Sequence, residues 1–178
     1  MLRLMPSGCG LPPHRLPTTP TTFAQANAMT SQVEPCAELM LDNQLCFALY
    51  STSLMMTKTY KPLLQALGLT YPQYLAMLVL WENEGITVSE ISARMLTDPG
   101  SLTPLLKRLE SEGLLQRQRS SQDERVVQLY LTDKGRALHE QAKALPACIL
   151  KASALNMAQL GKLRDDLIEL RGHLQDAL

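Results

Sequence analysis

The stretch TVSEISARMLTDPGSLTPLLKRLESEGLLQRQRSSQDERVVQLYLTDKG, residues 87–135, decides the fold. Thr87 or Ser89 can cap a first helix, and with Thr87 as the cap Glu90 completes a capping box, in which a hydroxyl and a carboxylate satisfy the free N–H groups at a helix start. A helix over 87–95 is predicted from it. A second helix within 97–113 turns Leu102, Leu105, Leu106 and Leu109 inward and ends at Gly113. With Ser101 as its cap, Pro104 falls at the third helical position, where a missing N–H costs little. The opposite face then carries Ser101, Thr103, Lys107 and Arg108 outward. Two runs of alternating character follow, flanking the polar tip SSQDE, and this is the pattern of a β-hairpin. Helix, short turn, helix, hairpin is the order of a winged helix-turn-helix. Such a unit lays its second helix in the major groove of DNA and reaches the minor groove with the hairpin.

Working outward, YPQYLAMLVLWENEG reads as a helix with Pro72 in its first turn and Gly85 at its end. Before it, YKPLLQALG reads as a short helix closed by Gly68. A further helix opens near Leu41 with Asp42 as cap, and its apolar stripe runs through Leu41, Leu45, Ala48, Leu49, Thr52 and Met56. Downstream, Thr132 caps a helix that stops before Pro146. The last helix places Leu160, Leu163, Leu167, Leu170 and Leu174 at spacings of three and four, a strip suited to a second helix, here a dimer partner. Residues 1–37 are rich in Pro and Thr and read as a disordered arm.

Bulk properties narrow the function. Lys+Arg 17 balances Asp+Glu 17, so net charge announces neither nucleic acid nor membrane. Within 101–125, five Lys/Arg against four Asp/Glu leave only +1; the case for DNA therefore rests on placement. No run approaches the ~20 apolar residues of a bilayer span, and the N-terminus lacks the apolar core of a secretory signal. A cytoplasmic protein with reduced thiols is expected. Cys9, Cys36, Cys46 and Cys148 show no metal-ligand spacing, so neither metal nor cofactor is expected. Taken alone, Cys46 reads either as apolar filling or as a reactive thiol.

DERVVQLYLTDKG resembles the wing of the MarR family of bacterial regulators, with an Asp and an Arg two residues apart ahead of a hydrophobic strand and LT.KG. GSLTPLLKRLESEGLLQR is similar to that family's recognition helix and its exit into the wing. The resemblance spans roughly Leu41 to Leu174. It implies a mostly α fold with a small β-wing, a DNA-binding lobe over 87–132, and dimerisation helices over 41–67 and 133–178. Arg125 would enter the minor groove and Asp123 would brace the wing, while Arg117 and Arg119 add charge on the hairpin. LDNQLCFALY, KTYKPLL, LTYPQY and LPACIL further resemble the organic-hydroperoxide-resistance branch. That implies Cys46 as the peroxide-sensing thiol, Tyr60 and Tyr71 as hydroxyl donors to it from the other subunit, and Cys148 as the resolving cysteine.

Physical chemistry is compatible with that role for Cys46. A helix N-terminus favours a thiolate, tyrosine hydroxyls stabilise it, and Leu45, Leu49, Met55 and Met56 suit an organic peroxide. The expected function is a homodimeric repressor that binds operator DNA when reduced. Organic hydroperoxide would oxidise Cys46, and a disulfide with Cys148 would release the DNA. Cys36 and Cys9 compete as resolving thiols. A rival reading makes Cys46 structural and a small aromatic ligand the signal. A thiol peroxidase is disfavoured, since no thioredoxin-like βαβ pattern is present and a wing has no role there.

Overall fold

The computed structural model describes residues 36–120 and 126–178. Most of the expected arm lies outside these residues, and so do Asp123 and Arg125. The chain divides into two units, one ending at Tyr50 and one running from Ser51.

In the first unit, two short 3₁₀ turns, Ala37–Leu39 and Leu41–Asn43, precede a helix. Side-chain amides hold them: Asn43 Nδ2 donates to the Ala37 carbonyl at 2.8 Å, and Gln44 Nε2 to that of Met40 at 3.2 Å. Asp42, the expected cap, sits inside the second turn. Helix α1 spans Leu45–Gln65. It is one helix where two were expected, because Pro62 falls in its last turn. There the proline removes a single hydrogen bond, and the burial of Leu64 keeps the turn in place.

In the second unit, α1 closes at Gly68, whose φ of +70° allows the N–H groups of Leu67 and Leu69 both to reach the Leu64 carbonyl at 3.0 Å. Helix α2, Tyr71–Glu82, carries a Thr70–Gln73 capping box and Pro72 in its first turn. It buries Tyr74, Ala76, Met77, Val79 and Leu80, so it is the central helix of this unit. It stops at Glu82, before Gly85. Gly85, at φ +75°, instead feeds a two-residue strand β1, Ile86–Thr87. Sequence patterning did not reveal that strand, since two residues cannot display an alternation.

The expected Thr87–Glu90 capping box opens α3, Val88–Met95. Helix α4 spans Pro99–Ser111, and its cap is Asp98, not Ser101: Asp98 Oδ2 accepts from the Ser101 N–H at 3.2 Å. The reason is Pro99, whose fixed φ suits the first helical position and draws the start three residues earlier. Strands β2, Leu115–Arg119, and β3, Val127–Leu131, form the hairpin, with Leu115 opposite Leu131 and Arg119 opposite Val127. The antiparallel sheet has the order β1-β3-β2. Thr132 caps α5, Asp133–Ala142, as expected. A further helix α6, Leu145–Ser153, begins where Pro146 was read as a stop, because proline fits a first turn as well as it ends a helix. Helix α7, Met157–Asp176, buries no residue at all.

Leu64, Met77, Leu80, Ile91, Leu102, Leu106, Leu109, Leu115 and Leu129 fill the core. Its lower edge is the LTDKG joint. Thr132 Oγ1 donates to the Gly113 carbonyl at 2.6 Å, and Lys134 Nζ donates to that of Glu112 at 2.6 Å. Both carbonyls belong to the C-terminal end of α4, which favours a cation. Trp81 Nε1 donates to the Gly135 carbonyl at 3.0 Å. Glu84 accepts from the Leu131 N–H at 3.1 Å and from Arg136 Nη2 at 2.8 Å. No described helix is long and apolar enough to cross a membrane.

A Cβ at Gly135 would stand 2.1 Å from the Leu114 carbonyl oxygen, a backbone atom that cannot swing aside. Gly135→Ala is expected to cost about 2–3 kcal/mol of stability through this overlap. Denaturant unfolding with an unchanged midpoint would show that the joint relaxes freely.

Candidate DNA-binding face and thiol region

Helix α4 sorts its residues as its periodicity demands. Leu102, Leu106 and Leu109 are buried and Leu105 half-buried, while Ser101, Lys107 and Arg108 are exposed and Thr103 is half-buried. Two of the outward groups are partly engaged within the helix. The Thr103 hydroxyl donates to the Pro99 carbonyl at 3.0 Å, and Arg108 Nε lies 3.1 Å from Glu112 Oε1. The Arg108 pair is exposed and screened, so DNA phosphate can compete for the guanidinium. Lys107 has no ion-pair partner among the described residues.

The hairpin arginines divide. Arg119 is exposed at the end of β2. Arg117, two residues earlier on the same face, turns toward α4, and its Nε lies 3.1 Å from Glu110 Oε2. The contact is an ion pair without hydrogen-bond alignment, and Nε and Nη2 are sealed from solvent with no hydrogen-bond partner. Arg117 is therefore a link between wing and helix. Asp98 and Glu110 went unrecognised in the sequence. Asp before Pro was an available cap signal; nothing periodic marks Glu110 as the partner of Arg117.

Cys46 occupies the second position of α1 and is an exposed free thiol. Cys36 is also exposed and free; its thiol donates to Glu38 Oε2 at 2.8 Å, which lowers the Glu38 pKa. Cys148, half-buried in α6, is disulfide-bonded. Since Cys46 is free, the Cys46–Cys148 bond is not present within this chain.

In the second unit the tyrosines gather. The Tyr60 ring lies 5.1 Å from Tyr71 and 5.7 Å from Tyr74, and the aromatic series continues through Trp81 to His139. Burial, with lesser contributions from Tyr74 and Tyr71, pushes the Tyr60 phenol up to about 12. Burial also raises Tyr71 and Tyr74. All three remain protonated donors at neutral pH. A cleft of about 350 Å³ lies against Lys58, Lys61, Leu64, Leu69 and Tyr71. Among the described residues no cluster of His, Cys, Asp and Glu could hold a metal ion.

The raised Tyr60 pKa has a pH consequence with a definite sign. The folded state holds the phenol proton more tightly than the unfolded chain, whose tyrosine titrates near 10.0. The stability this represents is fully present below that pH and is lost as pH rises toward about 12. Tyr60→Phe should therefore flatten the alkaline decline of stability across that window, read by circular dichroism. A decline identical to wild type would refute the assignment.

Comparison with known proteins places this geometry. Residues 58–142 match the family described as transcriptional regulator SarA/Rot. The organic hydroperoxide resistance transcriptional regulator of Bacillus subtilis (strain 168) is 48% identical over 132 residues, covering 74% of this chain and 90% of that protein. AbfR, a protein of Staphylococcus epidermidis, has been solved on DNA in two states. The reduced form is 32% identical with a TM-score of 0.59, over 78% of this chain and 98% of that one. The overoxidized form is 33% identical with a TM-score of 0.58, over 75% and 94%. The chain thus belongs to the MarR family of transcriptional regulators, in its organic-hydroperoxide-resistance branch, and it is a regulator, not an enzyme.

Proposed function

We propose that the reduced protein is a homodimeric repressor whose α4 and hairpin bind operator DNA, and that Cys46 is its sensor of organic hydroperoxides. The observation that carries the sensor assignment is the exposed, free Cys46 thiol at the N-terminal end of α1, open to a peroxide arriving from solvent. Dimerisation is supported by apolar surface left open in the single chain. Leu45, Leu54 and Met55 of α1 and Leu163, Leu167 and Leu174 of α7 are all exposed. Apolar surface repeated along two long helices marks an association site. Ser101, Thr103, Lys107, Arg108 and Arg119 supply the DNA contacts in this reading, together with Asp123 and Arg125, which lie outside the described residues.

The chemistry runs in two steps. The Cys46 thiolate attacks the peroxide O–O bond, taking one oxygen as sulfenic acid and releasing the alcohol. Once a cellular thiol reductant has opened the disulfide that Cys148 holds in this structure, the Cys148 thiol of the other subunit displaces that oxygen as water, and a new disulfide forms. Tyr60 and Tyr71 serve the first step as neutral hydroxyl donors contributed across the dimer. The cleft beside Tyr71 favours a second reading, in which a small aromatic ligand releases DNA and Cys46 is structural.

One experiment separates them: operator binding before and after one equivalent of cumene hydroperoxide, with cysteine variants. Wild type should leave DNA and run as a covalent dimer on a non-reducing gel, reverting with dithiothreitol. Cys46→Ser should stay on DNA, because a serine hydroxyl does not ionise near neutral pH. Cys148→Ser should accumulate sulfenic acid without cross-linking. A Cys46→Ser protein still released by peroxide would remove the sensor assignment. At the wing, Arg125→Ala should weaken operator binding by about 1–3 kcal/mol with folding intact; unaltered affinity would strike it from the contacts.

A further inference from the structure

Strand β2 presents Leu115, Arg117 and Arg119 on one face, since side chains alternate along a strand. Along that face the residues pass from core to solvent: Leu115 is buried, Arg117 half-buried and Arg119 exposed. The middle residue is tied to α4 by the 3.1 Å pair with Glu110. Glu110 itself lies one turn beyond Lys107, on the helix that carries the outward polar face. Glu110, like Glu112 beside Arg108, is thus a carboxylate close to the cations of a face read here as meeting a polyanion.

A carboxylate in that position is electrostatically unfavourable for DNA binding, and the pair is a poor stabiliser. Two Arg117 donors are sealed from water without a hydrogen-bond acceptor, which costs free energy that an apolar side chain would not incur. What the pair does provide is position. It joins the hairpin to the helix by a charge contact, at the point where β2 leaves the core.

We infer that Glu110 and Arg117 are positioning residues that set the wing strand, and Arg119 with it, against α4 for simultaneous contact with DNA. Neither residue touches the nucleic acid in this account, which rests on the DNA-binding reading above.

The test uses full-length reduced protein and a duplex selected by wild type from a random pool. Deleting a negative charge at a DNA-facing surface should by electrostatics alone tighten binding. Positioning demands the opposite, so Glu110→Gln should weaken binding by about tenfold, the scale of one lost charged contact. The loss should largely vanish when Arg119 is already alanine, because a mis-set strand cannot forfeit a contact that is gone. Arg117→Met fills the same space with apolar atoms and should keep or raise the thermal midpoint while also losing about tenfold in affinity. Unchanged or tighter binding by Glu110→Gln, losses that add fully with Arg119→Ala, or wild-type affinity in Arg117→Met would each overturn the inference. Failure of wild type to select any duplex would instead refute the DNA-binding reading itself.

Discussion

The second unit depends on the close approach of α5 to the end of α4. At Gly135 the two backbones come so near that no side chain fits between them, and Trp81 donates to the same residue's carbonyl. Around this contact, Thr132 and Lys134 occupy carbonyls at the α4 terminus, and Glu84 joins β3 to α5 through Leu131 and Arg136. These bonds make helix, hairpin and following helix one piece. A groove-reading helix and a wing can act together only if the angle between them is maintained, and this joint maintains it from below while the Glu110–Arg117 pair acts higher on the strand.

A different constraint governs the long helices. Helix α1 buries only Leu64 and α7 buries nothing, although both carry leucines at helical spacing. Isolated long helices gain little from propensity alone, and packing of an apolar face supplies most of their stability. A second copy is the natural cover for such faces, and a dimer also presents two DNA-reading helices to the two half-sites of an operator. Under the proposed function, sensing and DNA reading are linked, because cysteines on α1 and α6 share a chain with the lobe they would move.

The electrostatic design is local throughout. A chain of zero net charge can still bind a polyanion when its cations are placed outward on one helix and one strand. Phenols held neutral by burial can likewise support a thiolate without adding a charge that would itself need compensation.

Sequence alone determined what short-range hydrogen bonding dictates. The Thr87–Glu90 box, the Thr132 cap, the inward leucines of α4 and the strand–turn–strand alternation all depend on partners within a few residues or on period. They suffice for the winged helix-turn-helix order, and with the wing and cysteine motifs they point to the family. Tertiary structure decided the rest. It made α1 continuous through Pro62, because burial of Leu64 outweighs one missing hydrogen bond. It recruited Ile86–Thr87 as a third strand, 43 residues from Leu129 in sequence (129 minus 86), a pairing no local pattern announces. It also paired Arg117, which the sequence placed only on the hairpin, with Glu110, since a strand residue's partner is chosen by whichever element packs across from it.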